Sequence, residues 1–219
     1  MKMGKKRKKL SRAKRERIGN ILICIGALLI ISVIVVNAID LIKSEMAVKD
    51  FKEIKVNADS DELGKPENYE DVSPYVGEDL ENDKEYDLAS IMGLLRIPKI
   101  SLEEAIREGS SNNVLSSSLG HMEGTALPGA EGNCCIAGHR NYTFGKYFNR
   151  LNEIEIGDLI EIETLDADYT YKVYDIFVVE PTEVSVLNKI KGNNLTLITC
   201  TPLFVGSHRL IIRAALVEK

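Results

Sequence analysis

From Ile18 to Ile42 the only ionisable side chains are Cys24 and Asp40, and Ile21 to Val36 is apolar throughout apart from Gly26 and Ser32. As a helix, at about 1.5 Å per residue, this stretch reaches roughly 37 Å, enough to cross a hydrocarbon core about 30 Å thick with some tilt. A helix buried in a soluble core shows one apolar face, whereas here every face is apolar. The stretch also exceeds the apolar region of a signal peptide, and Val36-Asn37-Ala38 makes a poor cleavage site because its first position is not small. An uncleaved membrane anchor over 18–42 is therefore expected. Residues 1–17 carry ten bases against one acid (Glu16), a balance of +9. Such a run suits nucleic acid in isolation, but beside an apolar span it reads as the cytoplasmic flank resting on anionic lipid, with no nucleic-acid partner. No second apolar segment follows. The expectation is a single pass in the cell membrane, with the N-terminus cytoplasmic and everything after about residue 43 extracellular.

The overall charge of −5 over 219 residues hides this asymmetry. Residues 43–88 hold 15 acids and 6 bases, no apolar run, and the breakers Gly64, Pro66 and Pro74. They read as an acidic connector or stalk, whose first part, Ser44 to Ile54, has some helical spacing and is able to continue the anchor helix. Residues 89–219 are different. Short β-branched runs bounded by turns recur at Leu94–Ile97, Ile100–Ile106, Asn133–Ala137, Asp158–Thr164, Tyr169–Glu180, Asn194–Cys200 and Arg209–Val217. Asp158 to Thr164 alternates polar and apolar positions with the period of a half-buried strand. Only Asn113–Ser117, Phe144–Leu151 and Glu183–Ile190 look helical. Seven or eight strands with few helices predict a mainly β domain, closed or sandwiched.

Three of the four cysteines, Cys134, Cys135 and Cys200, fall outside the span, and an odd number leaves at least one thiol unpaired. The three histidines are His121, His139 and His208, no CxxC occurs, and no metal spacing is present. Cys200 ends a strand-like run, and after the breaker-rich Thr201–Ser207 the next strand begins at His208-Arg209. Antiparallel pairing of the two strands brings Arg209 beside Cys200, where a guanidinium favours the thiolate and is able to hold an oxyanion. A buried Cys with a surface Arg is the plain alternative. His139 sits just past the strand 133–137 beside Gly138, at a loop entrance suited to an accessible imidazole. His121 lies in a Gly-flanked turn and reads as structural. His208 adjoins Arg209, so the two cannot face one thiol on a regular strand.

Together these segments resemble the sortases, membrane-anchored cysteine transpeptidases of Gram-positive cell surfaces. The likeness is carried by Ile91-Met-Gly-Leu-Leu-Arg-Ile-Pro-Lys-Ile100, Gly120-His-Met-Glu-Gly-Thr-Ala-Leu-Pro-Gly129, Ala137-Gly-His-Arg140, Thr196-Leu-Ile-Thr-Cys-Thr-Pro202 and His208-Arg-Leu-Ile-Ile-Arg213, in order across 89–219. It implies a closed eight-stranded β-barrel with a few short helices. It places the catalytic roles on His139, Cys200 and Arg209. It implies a Cys200 thioacyl intermediate formed on a Leu-Pro-x-Thr-Gly-like sorting motif, cleaved after Thr. The donors are surface proteins or pilins, and the acceptor is an amine of a peptidoglycan precursor or of a pilin. No cofactor is required.

Thr201-Pro202, His208-Arg209 and Ile91-Met-Gly are similar to the pilin-polymerising class C. The expected lack of a C-terminal anchor, and Ser73-Pro74-Tyr75 without the Asp of that class's lid, are closer to class D. Two rival readings remain. One is a membrane-tethered Cys/His cell-wall peptidase, which has no need of Arg209, and the other is a non-enzymatic surface ectodomain. A reversible disulfide between Cys200 and Cys134 or Cys135 is a further expectation to test.

Overall fold

The computed structural model describes residues 12–61, 91–140 and 146–218. The chain divides into two compact units, Met1–Ile42 and Lys43–Lys219. Helix α1 (Arg12–Asp61) provides the described part of the first and opens the second. Within the first unit, Leu22, Ile23, Leu28, Leu29 and Ile34 are all exposed. Water penalises such a surface by about 25 cal/mol per Å² of apolar area, and lipid does not. Among the described residues, this is the one helix long and apolar enough to cross a membrane.

The second unit is a closed β-barrel of β1 (Ile91–Ile97), β2 (Leu102–Glu108), β3 (Leu119–His121), β4 (Gly132–Ala137), β5 (Leu159–Glu163), β6 (Asp168–Val179), β7 (Asn193–Thr201) and β8 (His208–Glu218). Around the ring the order is β1-β2-β3-β4-β7-β8-β6-β5. Neighbours are antiparallel except β2 with β3 and β4 with β7, which run parallel. The mainly β, closed, eight-stranded class expected from the sequence is the one observed. The β-branched runs fail to mark β3, whose three residues are too few for a pattern. The run beginning at Ile100 opens instead with a 3-10 turn, Pro98–Ile100, where Pro98 supplies the fixed φ of a first helical position. Of the helical stretches, α2 (Asn112–Leu115) and a 3-10 turn at Val184–Leu187 are present. The 144–151 stretch is a turn leading to a 3-10 segment at Leu151–Glu153, and its residues 144–145 lie outside the described ones. So does Ser73-Pro74-Tyr75.

Alternation decides what each barrel strand buries. Cys134 and Ile136 of β4, Leu195 and Leu197 of β7, and Leu210, Ile212 and Ala214 of β8 join Leu95, Ile97 and Phe148 in the interior. The opposite positions, Asn133, Cys135 and Ala137 on β4 and Thr196, Ile198 and Cys200 on β7, form an outward track across two parallel strands. A second apolar cluster lies outside the barrel, where Ala47 and Phe51 of α1 pack on Ile91, Leu94 and Ala105 of β1 and β2. Ser44 donates to Glu104 at 2.6 Å on the same face, and Lys52 pairs with Glu103 at 2.8 Å. Residues 43–61, assigned from sequence to the connector, are thus helical and packed on the barrel. The remainder, 62–88, lies outside the described residues.

Candidate active site

Two hydrogen bonds join the ends of β4 and β7 just before the chemistry-bearing positions. The Gly138 N–H donates to the Ile198 carbonyl at 3.1 Å, and the Thr199 hydroxyl donates to the Gly138 carbonyl at 2.7 Å. Ala137 pairs with Ile198 in parallel register, so the next outward position on each strand is His139 on one and Cys200 on the other. Only glycine fits between them and the core. A Cβ at Gly138 would lie 2.6 Å from Phe148 Cδ2 and 2.7 Å from Leu119 Cδ2. On the other side of β7, Cys200 is the direct antiparallel partner of Arg209. Three adjacent strands therefore deliver His139, Cys200 and Arg209, in that order, to one rim of the barrel.

His139 and Cys200 line a cavity of about 250 Å³ together with Arg140, Pro202, Phe204, Val205 and Gly206. Among the described residues, no acidic side chain lines it. The β7–β8 connection forms its wall. The N–H groups of Val205 and Gly206 both return to the Pro202 carbonyl, at 3.2 and 2.9 Å, closing a turn that holds Phe204 and Val205 outward. Gly206 takes φ +64, a conformation costly for a side-chain-bearing residue, and lies against Cys200. Desolvation pulls the His139 pKa below that of a free imidazole, so its neutral, proton-accepting form persists to lower pH. The Arg209 guanidinium is not part of the cavity wall. Its Nη1 donates to the carbonyls of Gly206 and His208, both at 3.1 Å, and no carboxylate among the described residues pairs with it.

Sequence reasoning passed over Arg140. It lines the cavity beside His139, with Nε donating to the Asn149 carbonyl at 3.3 Å, Nη1 to Thr201 Oγ1 at 3.0 Å and Nη2 to Asn152 Oδ1 at 2.7 Å. Its adjacency to His139 was the one signal available.

The other candidates are elsewhere. His121 is buried, with Nδ1 2.7 Å from Glu108 and Nε2 3.0 Å from the Ala126 carbonyl, the structural role expected of it. His208 pairs with Glu180 at 3.2 Å, outside the cavity. All four cysteines are free. Cys134 faces the core, and Cys135, although outward, pairs with Thr196, four residues before Cys200. At about 3.3 Å per residue that is roughly 13 Å along the strand, beyond the reach of a disulfide. The folded barrel therefore excludes the Cys200 disulfide entertained from the sequence. Burial raises the thiol pKa of both, that of Cys135 to about 11, so neither is poised as a nucleophile. No group of three or more metal-ligating side chains occurs among the described residues. A second cavity, of about 240 Å³ and lined in part by Thr125, Asn133 and Leu187, holds none of the expected site residues.

Comparison with known proteins places a family model, described as a sortase domain, on residues 95–217. The chain is 41% identical over 142 residues to Sortase SrtE1 of Streptomyces coelicolor, covering 58% of this chain and 40% of that protein. It is 30% identical over 117 residues to Sortase D of Bacillus subtilis, covering 52% and 57%. The chain thus spans about half the length of these curated relatives. Among solved structures it is similar to the Clostridium perfringens Sortase D5 transpeptidase, at 30% identity and a TM-score of 0.60, covering 80% of this chain and 99% of that one. It is also similar to sortase C1 of Streptococcus agalactiae, at 34% identity and a TM-score of 0.57, covering 62% and 72%.

Proposed function

This chain belongs to the sortase family, and from that premise we propose that it is a cysteine transpeptidase that joins proteins bearing a C-terminal sorting motif to an amine of the cell wall precursor or of a pilin subunit. The observation that carries the reading is the shared rim: His139 and Cys200 line one cavity, and Arg209 stands opposite Cys200 in register.

The chemistry follows from that order of strands. The Cys200 thiol passes its proton to His139 as its sulfur attacks the Thr carbonyl of a Leu-Pro-x-Thr-Gly-like motif, and a C–S bond forms. The C–N bond then breaks, and His139 delivers a proton to the departing amine. The tetrahedral oxyanion forms on the β8 side, where the guanidinium of Arg209 has no carboxylate partner among the described residues. In the second half an acceptor amine attacks the thioester, a new C–N bond forms, the thiolate leaves, and the amine's proton passes to His139. The partly exposed Ala137 and Ile198 continue the outward track from the cavity and offer an apolar bed for the motif. The apolar helix 18–42 supports membrane anchoring, and the basic residues before it support a cytoplasmic N-terminus.

The test is turnover of a fluorogenic sorting-motif peptide by the full chain in detergent micelles, with and without a primary amine. Amine-dependent ligation that disappears in Cys200→Ala is expected. Cleavage indifferent to added amine would favour a cell-wall peptidase, and an active Cys200→Ala would exclude thioacyl chemistry altogether.

A further inference from the structure

The cavity beside Cys200 is lined by a cation, Arg140, that has no carboxylate partner among the described residues. Two other arginines of the barrel unit are matched to carboxylates: Arg96 binds Glu103 at 2.7 Å and also Glu163, and Arg150 binds Glu153 at 2.7 Å. Arg140 has only neutral acceptors, the Asn149 carbonyl, Thr201 Oγ1 and Asn152 Oδ1, and no carboxylate among the described residues. These three contacts hold the guanidinium plane in place. A guanidinium has five N–H donors, so one remains on each terminal nitrogen. A fixed, partly buried fork with two spare donors is pre-organised for an anionic group entering the cavity, because its own charge is already paying a desolvation cost there.

The position of Arg140 selects which reactant carries that anion. Cys200 lies between β4 and β8. The carbonyl under attack turns its oxygen toward Arg209 on β8, whereas the incoming amine must meet His139 on β4, and Arg140 is the next residue. Resting on the transpeptidase reading above, we propose that Arg140 docks a carboxylate carried close to the acceptor amine. The preferred acceptor is then an amino-acid-like amine with a free carboxylate on or beside the amine-bearing carbon, rather than a neutral amine or an amide. The carboxylate undergoes no reaction. It orients the amine so that its lone pair meets the thioester carbon while its proton faces His139.

The experiment uses the full chain in detergent micelles, a sorting-motif peptide as donor, and glycine or glycinamide as acceptor, with rates expressed per free base because the two amines differ in basicity. In the unaltered protein the KM for glycine is expected to be about tenfold below that for glycinamide, the range of one charge-assisted contact. Arg140→Gln should bring the ratio to near one by raising the glycine KM, and Arg140→Lys should restore part of it. Because the readout is a ratio of two KM values, a lower fraction of folded enzyme cancels. Equal KM values in the unaltered protein, or a ratio that survives Arg140→Gln, overturn the assignment. Cys200-dependent cleavage with no amine-dependent product from either acceptor overturns transpeptidation itself, and the assignment with it.

Discussion

His139 shows how local burial prepares a residue for its task. Its pKa lies below the usual imidazole value because the site desolvates it, and the neutral form is the one able to accept a proton from an amine. The midpoint of the acid limb of aminolysis, with rates expressed per free-base amine, should therefore lie below the ordinary imidazole value of about 6.5, as read from a pH profile of kcat with amine in excess. A midpoint above 6.5 would contradict the burial argument. Arg209 is tested by Arg209→Lys, which keeps the charge but loses the planar fork. Turnover should fall by about 100-fold, the order associated with one oxyanion donor, and near-normal kcat would remove Arg209 from the mechanism. His139, Cys200 and Arg209 were legible because strand ends and a hairpin connection can be read from local pattern. Arg140 was not. Its partners are Asn149 in a turn, Asn152 in a 3-10 segment and Thr201 at the end of β7, and their convergence on one guanidinium at the cavity exists only in three dimensions.

Among the elements, the packed part of α1 departs furthest from what composition suggests. Counting charges makes residues 43–61 part of an acidic connector, but Ser44, Ala47 and Phe51 recur at helical spacing and form a narrow stripe that meets β1 and β2. A stripe of three among many charges is too thin to stand out from sequence. Phe51→Ala should cost about 3–5 kcal/mol, the usual range for emptying a buried aromatic site, measured as denaturant unfolding of the barrel unit. An unchanged midpoint would mean that the contact contributes nothing. Glu104 lies at the same joint, bonded to Ser44 and to the Tyr147 N–H, and burial raises its pKa above the ordinary carboxyl value. A raised folded-state pKa contributes stability below the unfolded value, and that contribution is lost as pH rises through the folded one. Glu104→Gln should consequently raise Tm at pH 8 relative to the unaltered protein, with the difference shrinking toward pH 4. A gap that widens on acidification would reverse the sign of this argument.

For the whole molecule, seven of the eight strands were legible from turn spacing and alternation and β3 was not, and which strands pair to close the ring was not legible from local pattern either. Pairing β4 with β7 in parallel joins residues about sixty positions apart, and no local pattern announces such a partner. The same barrel decides the thiol chemistry. With Cys134 and Cys135 enclosed and Cys200 at the rim, brief alkylation of the native protein by iodoacetamide should modify Cys200 and spare the other two, as read by peptide mass mapping. Reductant should leave activity unchanged, and equal labelling of all three would mean that the barrel opens readily. A closed ring has one more consequence. An open sheet captures an extended peptide by letting it become one more strand, so that backbone hydrogen bonds supply much of the affinity. Eight strands paired side by side in a closed ring leave no terminal strand for such an addition. A polypeptide visiting this barrel must instead be held across its outer face by side chains and loop walls, which makes recognition answer to the visitor's residues rather than to its backbone.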